Sequence, residues 1–422
     1  MADTDKNRLL PQSDSGRILT ACLSLAFVLF LFAGSFSIAA SQIALGLSVL
    51  LLVTLLTRRI EIPAWGKLRA VWIAILACLT WQVASSLLGS HPVNSIWFLR
   101  EEWLFLAIPV AVYLFGRAGR AEWLVMVLAF GLLLISIYGV IQHFTGVHWF
   151  RDNPLSQYGQ TARPAGNFSH PLTYGNYLVT GLMFGLGYLV VRFRSLAIWR
   201  RWLLSATVVS GLVATALLNS RGPMLAAVGG LAALGVFARK TRCVAIIVVG
   251  AALVAWISSP SLVDELAARL NRDLTPSHPL SRLYIWDHAL QIIGQHPITG
   301  VGAGNFSAEY DLATAGEPEP HYPMGHAHSD YLNVAALYGI PGLLLYLGMW
   351  GAVLSRLYRT YRKSERTSLA RGLTLGVLAA TVAFAVASLT EAAFADEEVR
   401  QLLMALWGAG LAATLPKQAD RE

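Results

Sequence analysis

Two imidazoles and a carboxylate stand together in GHAHSDYLN, residues 325–333, directly before the apolar run Val334–Leu354. Titratable side chains at the mouth of a membrane-length run are costly and usually serve a function. A neutral imidazole near pH 7 can take a proton from a hydroxyl. His328 and His326 are therefore candidate bases, although two residues apart they do not share a helical face. Three arginines offer complementary chemistry: Arg221 in LLNSRGPML, Arg282 at the start of a helical pattern, and Arg163 in TARPAGNF. A guanidinium keeps its charge and grips phosphate through two parallel donors, so these three could form a fork for a phosphate or pyrophosphate. Plainer readings stand beside these: a snorkelling or headgroup-binding arginine at 221, a solvated helix face for Arg282, a weaker signal at Arg163, and structural histidines.

The remaining polar groups point to less. His278, His288, His296 and His321 read as solvated or capping residues. HAHSD lacks the helical His-x-x-x-His or Glu-x-x-His spacing of common metal sites, and the chain has no Asp-x-Asp pair, so no metal is expected. ADEEVR, residues 395–400, reads as a solvated turn or as acids that steer a polar partner. Cys22, Cys78 and Cys243 lie in or beside apolar runs and read as small buried hydrophobes, with no disulfide framework. Gly339 and Gly342 suit close helix packing, and Pro341 between them should bend its helix.

The elements that carry these groups belong to a membrane protein. Of 422 residues, 55% are hydrophobic and 13% charged, against about 25% charged in soluble domains. Apolar runs of bilayer length recur almost throughout. Hydropathy places about twelve spans, at 18–35, 37–57, 68–88, 102–116, 122–142, 173–191, 201–219, 222–238, 243–258, 330–354, 369–389 and 399–415. SIAA at 37–40 loosely resembles a signal cleavage site, but the run before it is long for a signal and a second span follows at once. The net charge of +8 does not suggest nucleic acid, because the basic residues sit in short loops. Of the 32 Lys and Arg, 24 fall on the side of the N-terminus. The positive-inside rule then predicts cytoplasmic termini. All ten histidines and 16 of the 24 acids fall on the outer side.

The division expected is residues 1–258 with nine spans, 259–329 as a large outer cap, and 330–422 with three more spans and a short tail. Within the cap, SLVDELAARLNRD reads as a short amphipathic helix. SRLYIWDHALQIIGQHP reads as another, with Leu283, Trp286, Leu290 and Ile293 at helical spacing. TGVGAGNF follows as a glycine-rich turn. The fold class is thus an all-α polytopic bundle with a partly helical cap.

HSDYLNVAALYGIPG fits His-[Asn/Ser/Gln]-x9-Gly-x-x-Gly on His328, Ser329, Gly339 and Gly342. This resembles the outer-loop motif of bacterial O-antigen ligases and O-antigen polymerase-like proteins. SRLYIWDHALQIIGQHPITGVGAGNF resembles the arginine helix and glycine turn of the same domain, and NSRG and GNFSHPLTYGNYL resemble further family features. The resemblance covers most of the chain and is sharpest over 220–345; Ser329 stands where Asn is common. It implies a type C glycosyltransferase-like fold and a metal-independent, inverting transfer at the outer leaflet of a bacterial inner membrane. The donor implied is a glycan on undecaprenyl pyrophosphate, and the acceptor a sugar hydroxyl of lipid A–core. No cofactor and no nucleic acid is implied. His328, Arg221 and Arg282 take the catalytic roles, and Arg163, His326, Asp330 and Tyr331 the substrate-binding ones. An O-antigen polymerase or an O-linked protein oligosaccharyltransferase would share donor and mechanism. A lipid-linked glycan transporter would need no chemistry, but no inverted repeat is evident.

Overall fold

A computed structural model describes residues 14–58, 64–117, 119–151, 154–158, 161–238, 268, 271, 275, 278, 280–316 and 322–416. The backbone is helical: α1 Asp14–Ala33, α2 Ile38–Thr57, α3 Arg69–Leu88, α4 Pro92–Leu99, α5 Ala107–Phe115, α6 Arg120–Thr145, α7 Pro171–Arg192, α8 Ile198–Leu217 and α9 Arg221–Phe237. Then come α10 Arg282–Gln295, α11 Phe306–Thr314, α12 Asp330–Lys363, α13 Leu369–Ala387 and α14 Glu397–Ala412. One departure from an all-α chain is a two-residue antiparallel pair, β1 Gln157–Tyr158 with β2 Thr161–Ala162. In hydrocarbon every backbone donor and acceptor must be satisfied within its own element, which selects helices for the apolar runs.

Among the described residues seven helices are long and apolar enough to cross a membrane. The twelve-span expectation meets the structure unevenly. The run 102–116 is divided between a 3₁₀ turn, Arg100–Leu106, and the short α5. The run 399–415 forms α14, sixteen residues long and buried from Val399 to Ala412. A helix apolar on all sides belongs inside a bundle. Its Trp407 indole donates to Thr381 on α13 at 3.1 Å and meets Trp350 of α12 edge-on. The run 243–258, with Cys243, lies outside the described residues, as does most of SLVDELAARLNRD. Cys78 is buried as expected, whereas Cys22 is exposed on α1.

Small residues set the closest helix crossings. A Cβ on Gly187 of α7 would lie 2.7 Å from the Cα of Gly376 on α13, so these backbones touch. A Cβ on Gly175 would lie 2.5 Å from the Pro223 ring, so the first turns of α7 and α9 press together.

Helix α12 is broken, and not by Pro341 as expected. The non-helical residue is Gly339, at φ 71° and ψ 178°. Proline lacks an N–H and starts a helical segment without loss, so Pro341 opens the second half. The break leaves carbonyls without helical partners, and the glycine turn after α10 meets them. Val301 N–H donates to Ala336 O at 2.9 Å and Gly302 N–H to Leu337 O at 2.8 Å. Ile340 N–H returns to Pro297 O at 2.8 Å, and the Trp81 indole donates to Tyr338 O at 2.8 Å. Turn residues Gly300, Gly302 and Gly304 all have positive φ. The cap is therefore fastened to the bundle through backbone.

The buried stripe of α10 also differs from the expected one. Ile285, His288, Ala289, Ile292 and Ile293 face inward, while Leu290 is exposed. His288 is not solvated: it is 3% exposed, shares a hydrogen bond with Tyr284 O at 2.9 Å, and lies between the Tyr284 and Tyr310 rings.

Candidate functional site

Helices α7, α9, α10 and α12 begin at one end of the bundle, and α13 finishes there. Helix N-termini carry partial positive charge and point N–H groups outward, which suits an anion. Ser281 caps α10 in the ordinary way, accepting from Tyr284 N–H at 3.0 Å. Ser220 and Ser329 precede α9 and α12 but make no side-chain cap. Ser220 Oγ instead accepts from Arg163 Nη2, and Ser329 Oγ donates to Ser388 O at 3.3 Å. Asn219 and His328 are the described non-glycine residues with positive φ, each at 50°. Such conformations cost roughly 1–3 kcal/mol and collect where a site must be held in shape.

The centre of this end is a carboxylate that the sequence had not singled out. Glu391, in the turn after α13, is 6% exposed. Its Oε1 accepts from Arg282 Nη2 at 2.8 Å, and its Oε2 lies 3.8 Å from His328 Nδ1. That is ion-pair range but too long for a hydrogen bond. His328 Nδ1 is buried with no hydrogen-bond partner, so the nitrogen faces the carboxylate across a gap. Arg282 Nη1 also reaches the His328 carbonyl, at 3.4 Å. Burial pushes the Glu391 carboxyl up, but His328 and the Arg282 guanidinium outweigh it and hold Glu391 below the usual carboxylate range. Glu391 is thus charged at neutral pH, with one oxygen on the guanidinium and one towards the imidazole.

The other expected residues surround this trio. Arg221 opens α9, and a Cβ on the adjacent Gly222 would lie 3.0 Å from Glu391 Cγ. Arg163 reaches the turn before α9 through Ser220 Oγ and, at 3.4 Å, Leu218 O. His326 Nδ1 accepts the His328 N–H at 3.2 Å, and the two rings meet edge to face at 4.3 Å. Burial, with the charges of His328 and Arg282 adding to it, pushes the His326 imidazole down to about 4. His326 is therefore a neutral wall of the site.

Asp330 and Tyr331 lie beneath it. Asp330 is 1% exposed, and its carboxylate accepts from Ser388 Oγ at 2.6 Å and Phe394 N–H at 3.0 Å. The Tyr331 hydroxyl donates to Ala385 O at 2.9 Å. Asp330 thereby pins the turn that carries Glu391, and Tyr331 ties the start of α12 to the end of α13; both side chains spend their oxygens on protein partners. ADEEVR is not a solvated turn: Arg400 is 3% exposed and pairs with Glu101 at 2.9 Å and Glu102 at 3.1 Å.

Two participants were missed. Glu391 sits alone in SLTEAAFAD, with no motif around it. His170, the N-cap of α7, is pushed down by burial and by the Arg163 charge, with Glu391 opposing and His328 adding. Its position in SHP before a span was the available signal. Among the described residues, no three His, Cys, Asp or Glu side chains gather as a metal cluster would.

Residues 206–347 match the family model described as O-antigen ligase. No curated protein matches the chain. The matched segment runs from α8 through the cap to the first half of α12. It contains Arg221, Arg282, His326, His328, Asp330 and Tyr331, and leaves out Arg163, His170 and Glu391. The matched segment, less than half of the chain, is similar to that family.

Proposed function

We propose that this O-antigen ligase-like chain is an inverting, metal-independent glycosyltransferase. It moves a glycan from undecaprenyl pyrophosphate to a sugar hydroxyl of lipid A–core, at the outer face of a bacterial inner membrane, with both termini cytoplasmic. The observation that carries this is the Arg282–Glu391–His328 arrangement, set among helix N-termini with Arg221 and Arg163 beside it. It supplies a base and an anion cradle within one site.

The chemistry follows from those groups. With its proton on Nδ1, facing Glu391, His328 presents the Nε2 lone pair to the acceptor hydroxyl. The acceptor oxygen attacks the anomeric carbon as its proton passes to Nε2. The bond from that carbon to the pyrophosphate oxygen breaks on the opposite side, which inverts the centre. Negative charge collects on the leaving pyrophosphate, where Arg282, Arg221, Arg163 and the helix N-termini stabilise it. Glu391 steadies the imidazolium that forms, as a carboxylate does behind other catalytic histidines. The gap of 3.8 Å closes when substrates order the site.

The test is reconstitution of the purified chain with undecaprenyl-pyrophosphate glycan and lipid A–core in the presence of a chelator. Glycan on the core supports ligation. A lengthened donor overturns ligation in favour of polymerisation. Glycan movement across the bilayer without either product overturns the enzyme, and loss of product to the chelator overturns the metal-free step.

A further inference from the structure

The other end of these helices carries a second basic site. Where α7 and α9 end, α12 finishes and α13 begins, a cavity of about 880 Å³ opens at the surface. Among the described residues its lining includes Arg194, Arg362, Arg366 and Arg371 and no carboxylate. Nearby, Arg192 and Arg200 both grip Glu122. The four lining arginines make no ion pair among the described residues.

Aromatic rings and carbonyls, not acids, order two of these arginines. Arg371 lies 4.2 Å over the Tyr361 ring and donates to Tyr361 O at 3.2 Å and Ser364 O at 3.0 Å. Arg362 donates to the Tyr358 hydroxyl at 3.2 Å. The Tyr361 hydroxyl is fixed in turn on Phe237 O at 2.7 Å. Below this rim the walls are apolar, with Val190, Val191 and Val236. A positive rim over an apolar slot at a helix-bundle end matches one molecule in its two halves: a phosphodiester head and an acyl chain.

We propose that this cavity is a binding site for an anionic glycerophospholipid of the leaflet opposite the His328 end. The phosphate sits among Arg362, Arg366 and Arg371, and an acyl chain follows the valine wall. Electrical complementarity chooses the occupant, because a zwitterionic lipid would leave the rim largely uncompensated. The site is independent of the transfer reaction and of the residues assigned to it.

The test uses the full-length chain in detergent, stripped of lipid and titrated with phosphatidylglycerol or phosphatidylcholine under native mass spectrometry. One phosphatidylglycerol should be retained and phosphatidylcholine should not. Arg362 and Arg366 are exposed, so the Arg362→Gln/Arg366→Gln variant should fold, checked by its thermal midpoint. It should bind phosphatidylglycerol roughly thirty-fold more weakly, the effect of losing two lipid-facing charges. Equal retention of both lipids, no retained lipid, or undiminished binding by the folded variant would overturn the proposal.

Discussion

Substitution Glu391→Gln keeps the shape of the side chain and removes its charge. In the wild type, Glu391 Oε2 stands 3.8 Å from His328 Nδ1. When His328 accepts a proton, that carboxylate meets a full positive charge. At this separation and an effective dielectric near 20, the attraction is on the order of 4 kcal/mol. The His328 side chain is 26% exposed, and solvent screening reduces the useful part to about 2 kcal/mol. The kcat should therefore fall by roughly thirty-fold. The KM for the polyprenyl-pyrophosphate donor should hold or fall, because Arg282 no longer shares its donors with a carboxylate. The assay is initial-rate transfer in reconstituted vesicles across a series of donor concentrations, on protein whose thermal midpoint shows it is folded. Full kcat in the variant would refute the role of Glu391. So would a lost kcat matched by an equal loss of donor binding, since that pattern belongs to a residue that only holds the site in shape.

Arg282→Lys and Arg221→Lys should each lose at least roughly tenfold in kcat/KM, because an ammonium cannot present the planar fork; full activity in both would remove the pyrophosphate role. Gly339→Ala should destabilise the chain by about 3 kcal/mol or more. It demands φ 71° of alanine and sets a Cβ 2.0 Å from Ile298 O. The readout is a lowered thermal midpoint in detergent, and an unchanged one would refute the account of the break. His326 gives a pH signature. Its folded pKa of about 4 lies below the unfolded value, so the unfolded state binds the extra proton between them. The stability it contributes is complete above about pH 6.5 and is lost as pH falls towards 4, roughly 3 kcal/mol in all. His326→Gln should flatten the midpoint across that window, and an unchanged pH slope would contradict the burial argument.

The helices that pack with one face outward were legible from hydropathy, because lipid and core both select apolar side chains. Legibility failed where tertiary context replaced the bilayer. Helix α14 is short for a span yet buried on all sides, and 102–116 changes helix type where Glu101 and Glu102 turn in to meet Arg400. The break in α12 was placed at Pro341 by local rules. The cause is longer in range, since Gly339 lets the turn at 300–302 take the free carbonyls. For the site, His328, Arg282 and Arg221 could be proposed from type and spacing, whereas the contacts of the Asp330 carboxylate with Ser388 and Phe394 could not. An aspartate beside a candidate base looks the same in sequence whether it faces substrate or the turn beneath.

Glu391 marks the limit of motif reasoning more sharply. A lone acid in an apolar stretch has no local partner to announce it. Its meaning comes from α12 and α13 lying antiparallel, so that Asp330 at the start of one fixes the turn at the end of the other. Asp330 N–H donates to both Ser388 O and Glu391 O, at 2.9 and 3.2 Å. The carboxylate that faces His328 is thus held by the residue two places after His328. The cap brings Arg282 to the same carboxylate from a third direction. Neither contact falls wholly within 206–347, the segment that matches the family model. A fragment with all the recognisable motifs would therefore keep the imidazole and the guanidinium, and lose the group that sets one against the other.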